Sequence, residues 1–313
     1  MKNLIVDTKN IICYKMININ YKNKRRNNKG VPKKMIRKTT DNTEFDNQIF
    51  NEDCRQTIQK MIQKGYKVDN IITSPFYNTG RSSQCHTSQK SRDNHEGRYD
   101  IHLDDMTNDE YIKFTVDLFL SFDKILQDNG CILYNMSYGS ENTELMWLTV
   151  ASIIQNTPFT IADDIIWKKK SALPNNVSPN KLTRIVEHVL AFCRKSEFKT
   201  FKTNKKIKSI SKTGQKYYEN VLNFIEAQNN DGANKLNKAT YSTELITKLI
   251  NIYVQPNSKI YDPFIGTGTT ANACLLADNI TYIGSEISKK QCEYAEKRIQ
   301  ATKTKKQNKQ KQH

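Results

Sequence analysis

The sequence has little of what membrane and secreted proteins require. Its longest uninterrupted apolar stretches are about five residues, such as 189–193, far short of the ~18 residues that a transmembrane helix needs. The apolar run at residues 4–6 is broken by Asp7 and is too short for a signal peptide. These absences predict an intracellular protein with no membrane partner.

Paired cysteines and phosphate-binding loops are also missing. The seven cysteines form no C-x-x-C pair and are odd in number, which is typical of reduced thiols. Cys85-His86 is the only local Cys/His pair, and because no partner pair follows at ligand spacing, we expect no metal site. No Gly is followed by Lys, which excludes a P-loop.

What the sequence does have is positive charge concentrated at its two ends. The formal net charge of the 313 residues is +17, of which residues 1–40 carry +11 and residues 301–313 carry +5. Residues 1–43 are rich in Asn and Lys and predict a basic, disordered N-terminal tail, and residues 301–313 predict a basic C-terminal tail that does not pack. Two such tails on a nearly neutral body suggest contact with a polyanion.

The body, residues 44–300, alternates between strand-like and helix-like segments. We predict strands at 68–73, 131–134, 161–167, 186–193, 259–261 and 281–283. We predict helices at 53–64, 107–130 and 142–155, and further helices beginning at Ser242/Thr243, after Gly268 and at Ser288. In the clearest helix, Thr107 and Glu110 form a capping box and Gly130 is the expected C-cap. The alternation predicts an α/β fold with a mainly parallel, doubly wound sheet covered on both faces.

The alternation breaks at about 195–237. Residues 195–216 contain eight Lys against one Glu, and Asn-rich sequence follows. We interpret this interval as an insertion carried on the sheet domain, and its lysines as contacts to a nucleic-acid backbone.

One chemistry-bearing motif is D-P-F-I-G-T-G-T-T at 262–270, placed after a short strand and before a helix. Glycines at such a turn let the backbone approach a ligand and leave helix N–H groups free to bind it. About twenty residues later the next strand ends at Glu286, where a carboxylate is suited to accept hydrogen bonds from two ribose hydroxyls. Together, the glycine motif and Glu286 predict a site for a cofactor of the nucleotide type.

A second motif, S-P-F-Y at 74–77, follows the predicted strand 68–73. Ligands of open α/β sheets bind at the carboxyl ends of strands. Together, in this order, the two motifs resemble those of the β-class of DNA amino-methyltransferases, in which a motif of the form (S/D/N)-P-P-(Y/F) precedes a D-P-F-x-G-x-G-T-T loop. The resemblance covers roughly residues 50–300. One departure is Phe76, which replaces the second proline and removes one fixed φ angle.

The resemblance implies the class I methyltransferase fold, S-adenosylmethionine as cofactor, and a site-specific reaction on double-stranded DNA. The implied catalytic residues are Ser74, Pro75, Phe76 and Tyr77. The implied cofactor-binding residues are Asp53, Ser242, Thr243, Asp262, Phe264, Gly266, Gly268, Thr269 and Glu286. The stretch 184–188, after Trp167 and its lysines, is similar to the one that precedes the family's recognition region. A cognate restriction endonuclease and a homodimer are further partners that this resemblance suggests.

The chemistry of the residues agrees with that implication. The amino nitrogen of a nucleobase is a poor nucleophile because its lone pair is delocalised, and two acceptors on its N–H groups favour a pyramidal nitrogen. The Ser74 hydroxyl and the Pro75 carbonyl are suited to this role, and Tyr77, with Phe76, offers a stacking face for a flipped base. No Cys follows Pro, so the cysteine nucleophile of cytosine-C5 chemistry is not indicated.

Three alternatives stay open from the sequence. Ser in the first motif position favours cytosine N4 as the target, with adenine N6 as the alternative. A catalytically silent nucleic-acid-binding protein would keep the fold without the activity. Methylation of RNA or of a small molecule is disfavoured by the basic tails and the basic insertion.

Overall fold

The computed structural model describes residues 43–78, 106–137, 142–172, 174–176, 179–231, 240–277 and 279–310. The predictions for residues 1–42, for Cys85-His86 and for the last part of the 195–237 interval lie outside the described residues.

The described chain contains ten strands, six α-helices and a short 3-10 helix at Lys195–Glu197. The strands are β1 Gln48–Phe50, β2 Val68–Thr73, β3 Leu126–Met136, β4 Phe159–Lys169, β5 Val186–Arg194, β6 Ile207–Ile210, β7 Lys216–Tyr218, β8 Phe224–Ala227, β9 Lys259–Asp262 and β10 Thr281–Ser285. The helices are α1 Cys54–Gln63, α2 Asn108–Ile125, α3 Leu145–Asn156, α4 Thr243–Tyr253, α5 Thr269–Leu276 and α6 Lys289–Gln310. Each strand and helix predicted from the sequence has its counterpart here.

Eight of the strands form one sheet in the order β1-β10-β9-β2-β3-β5-β4-β8. Neighbouring strands are parallel except where β5 lies between β3 and β4. From β9 the chain continues outward to β10, whereas from β2, the other neighbour of β9, it continues outward in the opposite direction to β3. The strand order therefore reverses between β9 and β2, and a ligand crevice is expected at the carboxyl ends of these two strands.

Helices cover both faces of this sheet. Side chains that alternate along a strand point to opposite faces, so Ile71 packs into a core with α1, α2 and α3, and Ile72 packs into a second core with α4 and α5. Ile132 and Leu133 of β3 divide in the same way. The three-layer α/β architecture predicted from the sequence is confirmed.

The helix predicted from Thr107 to Gly130 begins as expected but ends early. The capping box of Thr107 and Glu110 is present in full. The helix stops at Ile125, because the chain turns extended at Leu126 and enters β3. Gly130 is therefore not a C-cap; a Cβ at this position would lie 2.7 Å from the Asp69 carbonyl oxygen of β2, so the glycine permits close approach of two strands.

The interval predicted as an insertion is shorter than expected. A hairpin of β6 and β7 stands apart from the main sheet, but β8 pairs with β4 and belongs to the sheet itself. The first part of the lysine-rich stretch lies at the amino edge of the parallel strands. There Lys195 donates to carbonyl oxygens at the end of α3, and Asn204 donates to carbonyl oxygens at the end of α4.

The expectation that residues 301–313 do not pack is wrong for 301–306. Helix α6 continues to Gln310, in a segment without Gly or Pro to end it. The Thr302 hydroxyl donates to Asn272 Oδ1 (2.6 Å), and Lys306 Nζ donates to the Leu275 carbonyl oxygen (2.9 Å). A cation at the C-terminal carbonyls of α5 is favourable because it complements the helix dipole.

No helix within the described ranges combines the length and the apolar character that crossing a membrane would take.

Candidate active site

The two sequence motifs meet at the point where the strand order reverses. Thr73, the last residue of β2, donates its hydroxyl hydrogen to Asp262 Oδ1 at 2.7 Å, and Asp262 is the last residue of β9. Main-chain pairing of Asn70 with Ile260 holds the same two strands together. One buried hydrogen bond between residues that are 189 positions apart in the chain thus brings the two motifs together.

Asp262 is the centre of this junction. It is 1% exposed, and besides Thr73 it accepts hydrogen bonds from the Phe264 amide (3.1 Å), the Tyr241 hydroxyl (2.9 Å) and the Thr270 hydroxyl (2.5 Å). Burial raises the pKa of this carboxyl, and the surrounding donors act against that rise. Four donors match the four lone-pair positions of a carboxylate. Asp262 therefore shapes the loop 262–270, and a direct cofactor contact stays a prediction.

The loop itself has the backbone form that its glycines predict. Gly266 and Gly268 have φ angles of 52° and 81°, and Gly268 is the N-cap of α5. A Cβ on Gly268 would lie 2.9 Å from the Cβ of Ala295 in α6. Arg298 of α6 donates to the Thr267 carbonyl oxygen at 2.9 Å and lies 3.3 Å from the Thr269 hydroxyl. Helix α6 thus packs against the loop and restrains its backbone through hydrogen bonds.

Glu286 lies next to this loop, at the end of β10. Its Oε2 accepts from the Gly266 amide (3.0 Å), and its Oε1 accepts from the Ser288 amide (2.8 Å). Burial raises the pKa of the Glu286 carboxyl, the two amides act against that rise, and the negative charge of Asp262 adds to it. Two of its four lone-pair positions are occupied by these amides, so the carboxylate retains capacity for ribose hydroxyls.

Cofactor binding is expected to depend on the ionisation of Glu286. Because its pKa is raised, affinity for S-adenosylmethionine should increase as the pH rises through that elevated pKa, whereas this group's contribution to folding stability should decrease over the same range. Glu286→Gln should bind the cofactor about 10- to 100-fold more weakly, because hydrogen bonds to a charged acceptor are lost, and should show a flatter pH dependence. Calorimetric titration at several pH values measures both effects.

Glu293→Gln on the exposed side of α6 is the matched control for this carboxylate, and its affinity should follow that of the wild type. Unchanged affinity and pH dependence in Glu286→Gln would remove Glu286 from the cofactor site.

The turn before α1, residues 51–53, contains two acidic residues and lies beside Glu286. Asn51 donates to the main-chain carbonyl oxygens of Glu286 (2.9 Å) and Ile287 (3.1 Å). Asp53 caps α1 and forms a two-point pair with Arg55, which holds the pKa of Asp53 below its usual range despite partial burial. A pocket opens here, lined by Asp53, Cys54, Arg55, Phe76, Met106, Phe114, Pro263, Phe264 and Ile287. This pocket brings the predicted residues Asp53 and Phe264 together.

Ser242 and Thr243 lie at the start of α4. The Ser242 hydroxyl caps the helix by accepting from the Leu245 amide at 3.3 Å. The Thr243 amide and hydroxyl both donate to Asp231 at 2.6 Å, and Asp231 also pairs with Arg298. Thr243 is thus connected to the loop 262–270 through Asp231 and Arg298, neither of which was predicted from the sequence, whereas Ser242 acts as a helix cap.

The S-P-F-Y loop separates into an apolar half and a polar half. Phe76 is 6% exposed and packs edge-on against Tyr111 and Phe264, with ring centroids 5.5 and 6.0 Å apart. The predicted stacking face on Phe76 is therefore covered, and this residue lines the pocket beside Asp53 instead. Tyr77 is partly exposed, and its hydroxyl shares a hydrogen bond of 2.8 Å with the Ser74 hydroxyl.

Three polar residues that were not predicted from the sequence, Asn135, Lys169 and Glu187, lie behind this loop. Asn135, at the end of β3, directs its Nδ2 to the Ser74 hydroxyl (3.3 Å), the Tyr77 hydroxyl (2.7 Å) and Glu187 Oε2 (2.8 Å). Lys169 Nζ donates to Glu187 Oε1 at 2.5 Å. A signal was available, since Glu187 interrupts the otherwise mostly apolar run 186–193, and a buried charge requires partners.

The five described cysteines are free and buried, and burial raises the pKa of Cys131 and Cys292 to about 12. Within the described residues, no three His, Cys, Asp or Glu side chains group together in a way that suits a metal ion.

The fold and the site define an α/β protein in which a glycine loop, an acidic strand end and a hydroxyl-bearing loop share one edge of a parallel sheet. Comparison with known proteins identifies the group: residues 68–297 match the DNA methylase family of the N6/N4 type, and the chain belongs to that family. The expectation of S-adenosylmethionine as cofactor agrees with this membership.

Individual relatives are distant. Type II methyltransferase M.HinfI of Haemophilus influenzae is 29% identical over 157 residues, 49% of this chain, and the match spans only 43% of that relative. Type II methyltransferase M.SmaI of Serratia marcescens is 25% identical over 279 residues, covering 79% of this chain and 88% of the relative.

Solved structures show the same fold. The PvuII DNA methyltransferase (cytosine-N4-specific) matches with a TM-score of 0.56 at 15% identity, over 79% of this chain and 84% of that one. The M1.HpyAVI–SAM complex matches with a TM-score of 0.52 at 23% identity, over 80% of this chain and 98% of that one. These likenesses confirm the predicted fold class.

Proposed function

We propose that this protein transfers a methyl group from S-adenosylmethionine to an exocyclic amino nitrogen of a flipped base in double-stranded DNA, with cytosine N4 as the favoured target. The observation that carries the proposal is the junction of β2 and β9. There the hydroxyl-bearing loop 74–77 lies next to the loop 262–270 through the Thr73–Asp262 hydrogen bond. Donor site and acceptor site thus adjoin at the carboxyl edge of the sheet.

The residues present fit the cofactor. Main-chain groups of the loop from Phe264 to Gly268, the carboxylate of Glu286 and the pocket beside Asp53 are the groups that would hold it. When bound, the sulfonium supplies a methyl group that is already activated. The protein's contribution is therefore alignment of donor and acceptor.

On the acceptor side, this chain's residues engage the amino group of the base. The Ser74 hydroxyl and the Pro75 carbonyl oxygen accept its two N–H hydrogens and favour a pyramidal nitrogen with an available lone pair. The partly exposed Tyr77 ring provides the stacking surface for a base removed from the duplex. Asn135 restrains both hydroxyls from behind.

Two observations bear on the target base. Ser74 occupies the first position of the motif, and Ser at this position favours cytosine N4, whereas Asp or Asn favours adenine N6. Phe76 occupies the place of the second proline and turns towards the cofactor pocket, which leaves Ser74, Pro75 and Tyr77 as the base-facing residues. Adenine N6 is the alternative outcome of the test.

Nucleoside mass spectrometry tests the proposal. DNA from cells that express the protein, and that lack other amino-methyltransferases, should contain N4-methylcytosine; N6-methyladenine alone would establish the alternative. DNA from cells expressing an inactive Ser74/Tyr77 variant is the control. Absence of both modified nucleosides, together with absence of cofactor binding by the purified protein, would establish the catalytically silent nucleic-acid-binding protein.

Duplex DNA is the substrate that the basic character of the chain supports. The exposed hairpin β6–β7 carries Lys208 and Lys216 beside exposed Tyr217 and Tyr218. Binding of such side chains to the phosphates of DNA weakens steeply as the salt concentration rises. The cognate restriction endonuclease and the homodimer stay predictions, and sedimentation analysis of the purified protein checks the latter.

A further inference from the structure

A chain of polar groups leads from the S-P-F-Y loop to a buried ion pair. The Ser74 and Tyr77 hydroxyls are 2.8 Å apart, and the Tyr77 hydroxyl donates to Glu187 Oε2 at 3.2 Å. The other carboxylate oxygen of Glu187 accepts from Lys169 at 2.5 Å. Each link is within hydrogen-bond distance, so the target side of the loop is connected to a carboxylate.

Glu187 accepts hydrogen bonds from three side chains in this arrangement. It is 7% exposed and receives hydrogen bonds from Lys169, Asn135 and Tyr77. Three donors, one of them a cation, stabilise the charged carboxylate and offset the cost of burying it. Hydroxyls alone would orient the loop without that cost, so the charge calls for a separate explanation.

The proposed reaction supplies an explanation for this buried charge. When the amino nitrogen forms its bond to the methyl carbon, the carbon–sulfur bond breaks and its electron pair stays on sulfur. The nitrogen then carries a positive charge and must lose one proton to give the neutral methylated base. A proton acceptor connected to the reacting nitrogen is therefore required.

We propose, on the basis of the function proposed above, that Glu187 receives this proton through the hydroxyls of Ser74 and Tyr77. The proton leaving nitrogen binds Ser74 Oγ, the Ser74 hydroxyl proton passes to the Tyr77 oxygen, and the Tyr77 hydroxyl proton passes to Glu187 Oε2. Each hydroxyl gains one proton and loses one, and the carboxylate becomes neutral.

Other polar groups nearby are unsuited to this role. Asp262 already accepts from four donors on the cofactor side. Asn135 meets the two hydroxyls through its Nδ2, which is a donor. Lys169, whose side chain is 25% exposed, links the ion pair to solvent, where Glu187 later releases the proton.

Glu187→Gln is the direct test, because it keeps the size and the hydrogen bonding of the side chain but takes up no proton at neutral pH. The single-turnover methylation rate should fall about 100-fold, within the usual range for general-base removal. Cofactor affinity, melting temperature and flipping of a 2-aminopurine target base, followed by fluorescence, should match the wild type. A rate within threefold of the wild type overturns the proposal.

Glu226→Gln is the matched control. Glu226 accepts from Lys168 at 2.5 Å in an exposed pair between β4 and β8 and touches no residue of the S-P-F-Y loop. Its methylation rate should be unchanged.

Chemical rescue separates proton uptake from orientation. Formate should restore the rate of Glu187→Ala at least tenfold, and chloride should not; no rescue by formate overturns the proposal in favour of a positioning role. If Glu187 variants fail to bind cofactor, Tyr77→Phe interrupts the same relay and keeps the ring, and a rate within threefold of the wild type then overturns it. DNA methylation by the wild-type protein tests the proposed function separately. If the wild type methylates DNA, the proposed function stands whatever the variants of Glu187 and Tyr77 show.

Discussion

Methyl transfer should be abolished when Ser74 and Tyr77 are replaced together by alanine, while cofactor binding stays nearly intact. The double variant removes an acceptor for the target amino group, the stacking ring and both hydroxyls of the relay. Loss of a single stabilising group of this kind typically lowers a rate by about 10²- to 10³-fold, so the pair should lower it by at least about 10³-fold. Single-turnover transfer of a radiolabelled methyl group measures this loss.

Cofactor affinity should be retained because the predicted cofactor-binding residues Glu286, Gly266 and Gly268 are held by contacts that do not involve the two substituted side chains. The hydrogen bonds that hold Glu286 and the glycine loop involve neither Ser74 nor Tyr77. Ser121→Ala/Tyr294→Ala, which removes the same two side-chain types from α2 and α6, is the matched control and should keep full activity. Substantial activity in the Ser74/Tyr77 variant would refute the role assigned to the S-P-F-Y loop.

Gly268→Asp is expected to remove cofactor binding. The residue has a φ of 81°, which costs an L residue about 1–2 kcal/mol. The added Cβ would also lie 2.9 Å from the Ala295 Cβ, and overpacking of this kind typically costs about 1–3 kcal/mol. If the loop shifts to relieve both, the Gly266 contact to Glu286 is lost, and affinity should fall by a factor on the order of 100 or more.

The Gly214→Asp variant separates the effect of backbone strain from the effect of steric overlap. Gly214 has nearly the same φ, 83°, but a Cβ there meets no atom within 4 Å. This variant should lose about 1 kcal/mol of stability from backbone strain alone and should bind the cofactor like the wild type. Calorimetric titration of both variants checks the comparison, and wild-type affinity in Gly268→Asp would contradict the assigned role of the loop.

The elements that were predicted well are those with local signals. The capping box at Thr107, the helix start at Ser242 and the glycine turn at 266–268 each depend on a few neighbouring residues, and all are present. The errors arose where a distant segment decides the outcome. Gly130 lies in a strand because β2 approaches it, and α6 continues past residue 300 where its side chains contact α5.

The candidate site divides in the same way. The motif residues were found because their types and order along the chain are informative by themselves. Asn135, Glu187, Asp231 and Arg298 were assigned no role because their partners are remote in sequence, and only the folded sheet brings them within hydrogen-bond distance.

By itself, the amino-acid sequence determined the fold class and the resemblance to the family, because periodicity, turn residues and motif spacing are local properties of the chain. The tertiary structure alone decided that Phe76 is covered, that Asp262 is saturated by four donors and that a buried carboxylate stands behind Tyr77. Hydrogen bonding and burial depend on which strands become neighbours, and that order is set by packing of the whole sheet.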